Sequence, residues 1–373
     1  MAASLKQFFS PSLARRLADS LASVHEPLDV EAFVRDATRG LGPLALLDRA
    51  RLFSRALAKH LPRDYPDALS VLQASLGPEH ATDELEGVGM APFFYMPHLM
   101  FVAEHGLAHF DASMAAQHAL TKRFTAEFSI RSFLEHDPER TLKTLKRWTR
   151  DPDAHVRRLV SEGTRPRLPW GKRVRFLDEN PERLLELLER LKDDPSTMVR
   201  RSVANHLNDL GKARPDLLFA TCQRWLDGAT PERAALVKHA LRSAVKRGEA
   251  GALGLLGHGA SPKVDVADAR CEPRAAKIGE TVRVTFVLVS RAKKPQSLMV
   301  DLVVHFMKAR GSTSEKVFKV SQVTLDAGER VELTKVISLA VHTTRKPSAG
   351  RHVVELAING VRAPLGHFDV RAG

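Results

Sequence analysis

Apolar residues recur at helical spacing through the first part of the chain, up to about residue 110. Leu13, Leu17 and Leu21 lie four residues apart, and residues 44–61 repeat the pattern before a proline. Spacing of this kind places the apolar side chains on one face of a helix, and proline ends it. The sequence therefore predicts helices separated by turns here. No catalytic motif is recognisable in this part.

An internal repeat begins near Ser113 and continues to about Leu256. Each unit consists of a capped helix, a short Asp-Pro turn and a second capped helix, and the offset between the first two copies is 43 residues. The matching segments are 137–140 with 180–183, 151–152 with 194–195, and 156–158 with 199–201, while a third, degenerate copy runs from Arg214 to Leu241. Helix pairs of this length are typical of HEAT-like arrays, which stack into a solenoid.

After the segment 257–262 the apolar period changes from helical to two. Alternation predicts strands around Val282–Leu288 and Val300–Phe306, then over 317–323, 331–339 and 353–358. Asn359-Gly360 predicts a type I′ hairpin turn before a last strand. Six or seven strands in about a hundred residues are typical of an immunoglobulin-like sandwich. We therefore expect a mainly α protein, with a HEAT-like solenoid over residues 1–257 and a C-terminal all-β sandwich over 262–373.

The net charge points to a class of partner because it is concentrated in one segment of the chain. The chain carries 57 Lys and Arg against 44 Asp and Glu, a formal charge of +13. Between Arg140 and Arg175 there are twelve basic and three acidic residues, which gives +9 of that total. A concentrated basic stretch is typical of a protein that binds the phosphate backbone of nucleic acid. A solvated helix face is the alternative interpretation.

Composition also indicates where the protein is located and which cofactors it could bind. No stretch approaches eighteen apolar residues, and residues 1–9 have no apolar core of a signal peptide. The two cysteines, Cys222 and Cys271, are too few and too distant in sequence for a disulfide framework or a zinc site. We expect a cytoplasmic protein without contact to a membrane. There is no metal-binding cluster or glycine-rich phosphate loop, so no cofactor is expected.

The repeated Val-Arg-Arg motif supplies arginines that could contact nucleic acid. On a helical wheel, Val156, Leu159 and Val160 face the core, which leaves Arg157 and Arg158 exposed on the other side. The repeat adds two equivalents, Arg200 and Arg201. Second helices of HEAT units line the concave surface of a solenoid, where a duplex could lie. The alternative is that these arginines pack between repeats.

Three acids and one tryptophan break local expectation. Glu127 follows Phe124 on an expected helix, where its alternative role is a salt bridge with Arg123 or Arg131. Glu162 stands almost alone within the basic stretch, and Asp209 lies at a helix end where the macrodipole disfavours an anion. Trp170 lies between prolines and cations in a stiff loop, where an aromatic ring could stack on a base or sugar. The alternatives are surface accidents for the acids and a ring tucked into the fold for Trp170.

The segments that contain these residues resemble the AlkC family of DNA alkylation-repair glycosylases. The resemblance rests on Ser161-Glu-Gly-Thr-Arg-Pro-Arg-Leu-Pro-Trp-Gly171, on residues 120–131 and on residues 201–209, and it covers essentially the whole helical part. The segment 350–360 resembles the immunoglobulin-like module of one branch of the family. The resemblance implies excision of cationic methylated bases, chiefly 3-methyladenine and 3-methylcytosine. It implies Glu127, Glu162 and Asp209 as the active-site acids and Trp170 as the aromatic residue facing the lesion.

The residues fit monofunctional hydrolysis of the N-glycosidic bond. A methylated cationic base is already a good leaving group, so the protein has to stabilise an oxocarbenium-like sugar and position a water. We expect Asp209 and Glu127 near the sugar, Glu162 near the lesion, and Trp170 against the nucleotide. The expected DNA-binding residues are Trp170, Arg157, Arg158, Arg165, Arg167, Lys172, Arg173, Arg200 and Arg201.

The expected partner is double-stranded DNA with alkylated bases, bound by a monomer. The competing hypothesis is a non-catalytic HEAT-repeat scaffold that binds nucleic acid or a phosphorylated protein. It accounts for the repeats and the charge, but leaves the three acids without a role. In either case the β-sandwich could bind DNA or a protein partner.

Overall fold

The computed structural model describes residues 5–82, 91–258, 261–308, 311–341 and 347–371. Among the described residues up to 255 there are sixteen α-helices, with short 3-10 turns at Leu5–Phe8 and Ala91–Tyr95. The helices are α1 (Pro11–Ala22), α2 (Val30–Thr38), α3 (Leu46–His60), α4 (Tyr65–Ala74), α5 (Met96–His105), α6 (Phe110–Thr121), α7 (Ile130–His136), α8 (Pro138–Trp148), α9 (Ala154–Gly163), α10 (Arg175–Glu179), α11 (Pro181–Leu191), α12 (Thr197–Leu210), α13 (Pro215–Leu226), α14 (Pro231–Ala240), α15 (Arg242–Lys246) and α16 (Ala250–Leu255).

Eight strands follow the helices and form two sheets. The strands are β1 (Val264–Glu272), β2 (Ala275–Lys277), β3 (Thr281–Ser290), β4 (Gln296–Met307), β5 (Thr313–Leu325), β6 (Arg330–Ser338), β7 (Gly350–Ile358) and β8 (Val361–Arg371). One sheet has the order β1-β3-β6 and the other β2-β8-β7-β4-β5. The pairing is antiparallel except between β2 and β8. The chain is therefore mainly helical, with an all-β C-terminal part, as predicted.

The chain divides into two compact units, which are described separately below. The first comprises Met1–Ala213 with Ala229–Ala240, and the second comprises Arg214–Gly228 with Leu241–Gly373. The helices α13, α15 and α16 thus belong to the same unit as the two sheets. The expected domain limits of 1–257 and 262–373 stay a prediction.

The repeat predicted from the sequence is present as two helix pairs. The first helices, α8 and α11, begin at Pro138 and Pro181, and the second helices, α9 and α12, begin 43 residues apart at Ala154 and Thr197. Val156, Leu159 and Val160 are fully buried, so the expected core face of α9 is confirmed. The third, degenerate copy also forms two helices, α13 and α14.

Local hydrogen bonds explain where the repeat helices begin. The Asp137 carboxylate accepts the backbone N–H of Arg140 at 3.1 Å, and Asp153 accepts that of His155 at 2.8 Å. Such N-caps satisfy donors that have no partner within the helix. Asn180 was expected to cap α11, but its side chain accepts no hydrogen bond from that helix. Its side-chain amide instead donates to the Phe176 carbonyl of α10. The proline at the start of α11 makes the cap less necessary there, since it has no N–H to satisfy.

In the second unit, alternate residues of the strands form the core between the sheets. Val284, Phe286 and Leu288 of β3 are fully buried, as are Leu302 and Val304 of β4. Asn359 and Gly360 both have positive φ, at 46° and 78°, as a type I′ turn requires. The predicted hairpin between β7 and β8 is therefore confirmed. The polar first strand, β1, was not predicted, because its apolar positions are few and half-exposed.

Candidate active site and nucleic-acid interface

The three predicted acids come together in the first unit, where two arginines link them. Arg165 donates from Nε to Asp209 Oδ2 at 2.8 Å and from Nη1 to Glu162 Oε1 at 2.5 Å. Arg158 Nη2 lies 3.4 Å from Glu127 Oε2 and 3.9 Å from Glu162 Oε1. We call these five residues the charge cluster. All five are largely buried, so the attraction between them is less screened than on the surface.

The two repeats place the charge cluster by a shared device. Glu162 and Asp209 are each the penultimate residue of a second helix, α9 and α12, where the macrodipole disfavours an anion. A cation three residues later compensates in both cases, Arg165 for Glu162 and Lys212 for Asp209. The Lys212 ammonium lies 2.9 Å from Asp209 Oδ1. The carboxylates that were unfavourable as helix residues are thus stabilised by tertiary and local ion pairs.

Glu127 enters the charge cluster from a turn. The sequence predicted a helix around it, but α6 ends at Thr121 and α7 begins at Ile130. Nor does Glu127 form the salt bridges with Arg123 or Arg131 that helical spacing suggested. Its Oε2 instead accepts the hydroxyl of Thr125 at 2.7 Å. The turn places the carboxylate beside α9, where Arg158 Nη2 lies 3.4 Å from its Oε2.

Burial and neighbouring charges move the pKa values of the two glutamates in opposite directions. Burial raises the pKa of Glu127, and the nearby Glu162 carboxylate adds to this against the opposing effect of Arg158. Burial also disfavours ionised Glu162, but Arg158, Arg165 and the Ser202 hydroxyl outweigh it and lower the pKa of Glu162. Burial lowers the pKa of Arg165, yet Glu162 and Asp209 reverse this and raise it. Glu162 is therefore the firmly ionised glutamate, and Glu127 the more basic one.

The structure corrects the expectation that Arg157 and Arg158 are exposed. The side chain of Arg157 is 12% exposed and pairs with Asp194, with Nε 2.6 Å from Oδ2. The helical wheel of one repeat gave no sign of this, because Asp194 comes from the next repeat. Arg158 is 17% exposed and belongs to the charge cluster. The repeat equivalent Arg200 is half-buried and donates to the Asp194 and Pro195 carbonyls.

Trp170 lies at the exposed tip of the loop formed by residues 164–174. It is 57% exposed, and its backbone has a φ of 62°, a left-handed conformation that costs free energy for a bulky residue. Arg131, which is 1% exposed, fastens the loop from below. Its guanidinium donates to the carbonyls of Gly163 and Arg165 at 2.9 Å and of Lys172 at 2.7 Å. The loop is thus clamped in a shape that presents an aromatic ring to solvent.

The other predicted DNA-binding cations differ in whether they already pair with a carboxylate. Lys172 and Arg173 are exposed but pair with Glu135 and Asp178. Arg167 and Arg201 are exposed and have no carboxylate partner within the described ranges. Arg167 and Arg201 are consequently exposed cations that could contact a phosphate without breaking an ion pair.

Several residues near the acids were not found from the sequence. The Ser202 hydroxyl donates to Glu162 Oε2 at 2.6 Å. His206 is fully buried, and its Nδ1 lies 3.0 Å from the Ser161 carbonyl. Burial lowers the pKa of His206 to about 4, so its ring is neutral. Ser202, His206 and Asp209 share one face of α12, and this spacing is the only sequence signal that could have identified them.

Other site types find no support in the described parts of the chain. Within those ranges no group of His, Cys, Asp and Glu side chains is arranged to hold a metal ion. None of the helices described is both long and apolar enough to cross a membrane. Cys222 and Cys271 are both buried and not in a disulfide.

Comparison with known proteins agrees with the geometry. Residues 123–247 match the family model of the DNA alkylation repair enzyme, and residues 265–372 match the C-terminal immunoglobulin-like domain of the uncharacterised protein YhaZ. YhaZ of Bacillus subtilis (strain 168) is 33% identical over 363 residues, which cover 96% of this chain and 97% of YhaZ. The alkylpurine DNA glycosylase AlkC of Pseudomonas fluorescens, solved with DNA containing an abasic-site analogue, is 36% identical. Its structure aligns with a TM-score of 0.91 over 99% of this chain and 100% of that one.

The chain belongs to the AlkC family of DNA alkylation-repair glycosylases. Membership confirms the fold class predicted from the sequence, a helical-repeat part followed by an immunoglobulin-like sandwich. The match to the DNA alkylation repair model spans all five residues of the charge cluster as well as Trp170. The individual roles of these residues in the AlkC family site stay predictions for this chain.

Proposed function

We propose that the protein hydrolyses the N-glycosidic bond of cationic N-alkylated bases in duplex DNA, with 3-methyladenine and 3-methylcytosine as its chief substrates. The observation that carries this proposal is the charge cluster, in which three carboxylates are held beside the exposed loop of Trp170. The likeness to a DNA alkylation-repair glycosylase supports it. The expected working form is a monomer.

The charge cluster suits a reaction in which positive charge moves from the base to the sugar. A cationic methylated base departs as a neutral molecule, so it needs no proton from a general acid. As the bond breaks, the sugar becomes oxocarbenium-like, and a fixed carboxylate stabilises that charge in a site of low dielectric. Asp209 is suited to this role, because Arg165 and Lys212 fix both of its oxygens. The bond then forms between the sugar carbon and a water, whose proton must be accepted.

Glu127 is suited to accept that proton. Within the described residues only its Oε2 has hydrogen-bond partners, Thr125 and Arg158, so Oε1 can bind a water. Burial raises the pKa of Glu127, which makes it a stronger base than an exposed glutamate. Glu162 differs, because Arg165 and Ser202 engage its two oxygens. We therefore assign Glu162 to holding both arginines in position on the lesion side of the site.

Release of free methylated base from alkylated DNA tests the proposal. We expect the wild-type protein to release 3-methyladenine, and Asp209→Asn to be slower by about 10²-fold, since one fixed charge near the sugar is lost. Asp216→Asn is the matched control, because it makes the same chemical change at an exposed carboxylate paired with Arg214. The control should release the base at the wild-type rate.

The possible results separate the function from the residue role. Absence of release by the wild-type protein would contradict the enzymatic function and favour a non-catalytic DNA-binding scaffold. Equal release by the wild-type protein and Asp209→Asn would contradict only the role of Asp209. Release of 3-methyladenine but not of 3-methylcytosine would narrow the substrate range.

A further inference from the structure

A cleft with a volume of about 250 Å³ lies beside Trp170 in the first unit and shares no residue with the charge cluster. It is bounded by α3, α5 and the residues that lead into α7. Its apolar surface comes from Leu47 of α3, from Met96, Leu99, Met100 and Ala103 of α5, and from Phe128. Met96 and Leu99 are almost completely buried, so they form the floor. The exposed indole of Trp170 forms one wall.

The polar rim of the cleft contains one carboxylate and two cations. Glu104 Oε2 lies 3.4 Å from the Ser54 hydroxyl, and Oε1 has no hydrogen bond to any described residue. The cations already have partners, since Arg51 pairs with Asp48 at 2.9 Å and Lys172 pairs with Glu135 at 2.5 Å. The rim therefore offers a hydrogen-bond acceptor to a ligand, but no uncommitted positive charge.

We propose that this cleft binds a free nucleobase, namely the methylated base released by excision. A purine or pyrimidine has flat apolar faces and a polar edge, which match methionine, leucine and indole surfaces with a single carboxylate at the rim. Glu104 Oε1 accepts a hydrogen bond from the amino group at that edge. The identity of the ligand rests on the proposed function, whereas binding of the free base can be measured without any excision.

The charges of the rim favour a base over a nucleotide. A phosphate would lie near the Glu104 carboxylate, and it would have to displace Asp48 or Glu135 to gain a cation. A neutral base carries no such penalty. We therefore expect adenosine monophosphate to bind more weakly than adenine or 3-methyladenine. The cleft would thus take the product after it separates from the DNA backbone.

The test measures binding of 3-methyladenine to the full-length protein by equilibrium dialysis, with the single-turnover excision rate as a second readout. Ala103→Phe places a phenyl ring in the cleft, and we expect it to weaken binding by at least about tenfold, as loss of stacking would. It should leave the single-turnover excision rate unchanged, because the cleft shares no residue with the charge cluster. Ala115→Phe, at an exposed position of α6 outside the cleft, is the matched control and should bind like the wild type.

A second variant keeps the test decisive if the first one fails to fold. Leu47→Trp narrows the cleft from α3 instead of α5, and it should give the same loss of binding. Thermal melting of each variant checks that the first unit is intact.

No saturable binding to the wild-type protein, or equal binding to wild type and a folded filling variant, would overturn the proposal. Tighter binding of adenosine monophosphate would also overturn it and indicate a nucleotide site. Binding of the free base by a protein without excision activity would support the cleft and contradict only the glycosylase function.

Discussion

At the scale of single residues, the charge cluster holds three carboxylates and two arginines where water has little access. Removing one member of such a group leaves another charge buried and unpaired, which typically costs about 3–5 kcal/mol. Unusual local positions and the family resemblance singled out the three acids that the structure brings together, and their catalytic roles stay predictions. The sequence could not identify their partners Ser202 and Lys212, since a serine or lysine on a helix breaks no rule.

The exposure of the arginines shows the limit of local reasoning. A helical wheel correctly placed the apolar side of α9, but it treats every other position as facing water. Arg157 is instead enclosed by Asp194 of the following repeat, and Arg158 by Glu127 from the preceding turn. Contacts between repeats are set by tertiary packing, so a pattern within one helix does not contain them.

The dependence of excision on pH should report on Glu127. If its ionised form accepts the proton of the water, the rate falls as pH drops through the pKa of Glu127, which lies above the ordinary value of 4.5. Glu127→Gln should lower the single-turnover rate by about 10²-fold and remove that acid limb. Rates would be measured on methylated duplex DNA at several pH values. Glu31→Gln, which alters an exposed glutamate paired with Arg15, should keep the wild-type profile. An unchanged acid limb in Glu127→Gln would assign the titration to another group.

At the scale of elements, the repeat helices and a stiff loop around Trp170 were predictable, but the way that loop is held was not. The offset of 43 residues and the aspartate caps were sufficient to place α8, α9, α11 and α12. The loop depends on Arg131, whose three hydrogen bonds reach carbonyls 32 to 41 residues further along the chain. Pro169 favours the turn of residues 168–171, in which Gly171 N–H donates to the Leu168 carbonyl at 3.1 Å. The left-handed tryptophan at its third position is unusual there, and the buried guanidinium stabilises it from outside the loop.

Loss of the Arg131 clamp should loosen the loop that presents Trp170. Burial lowers the pKa of Arg131 to about 10, so it remains charged at neutral pH and its bonds to the carbonyls are charge-assisted. Arg131→Met should lower the free energy of unfolding by about 3 kcal/mol, since buried carbonyls lose their donor. It should also speed tryptic cleavage after Arg167 and reduce excision.

Arg123→Met is the matched control for the clamp. Arg123 also donates to backbone carbonyls, those of Gly77 and Ala119, but it does not contact the loop of Trp170. Urea unfolding and limited trypsin digestion would be measured for both variants. Cleavage after Arg167 at the same rate in the two variants would argue against a clamp specific to this loop.

At the scale of the whole molecule, the cations of the basic segment between Arg140 and Arg175 lie in different surroundings. The first five cations lie on α8 and the turn that follows, while Arg157, Arg158 and Arg165 are committed to buried ion pairs. The charge count therefore overstates the number of cations free to contact phosphate. Charge and alternation along the sequence were sufficient to predict a DNA-binding helical part and a β-sandwich, but not which cations are available.

The salt dependence of DNA binding should show how many cations are used. Each phosphate contact contributes about 0.9 to the slope of log affinity against log salt concentration on duplex DNA. Arg167→Ala with Arg201→Ala should therefore reduce that slope by about 1.8 if both contact phosphate. Fluorescence anisotropy with unmodified duplex at several salt concentrations would measure it. The pair Arg35→Ala with Arg39→Ala removes two other exposed arginines and should leave the slope unchanged. Equal slopes for the wild type and Arg167→Ala with Arg201→Ala would place the phosphate contacts elsewhere.

The balance of the charge cluster also constrains how such an enzyme can diverge. Because each of its charges is stabilised by its neighbours, a single substitution there harms the whole group before any new activity can be selected. Trp170 and the apolar residues beside it form no ion pairs with one another, so one of them can change without leaving a buried charge unpaired. New lesion preferences should therefore evolve by exchange of side chains around the loop, while the buried acids and arginines are inherited together.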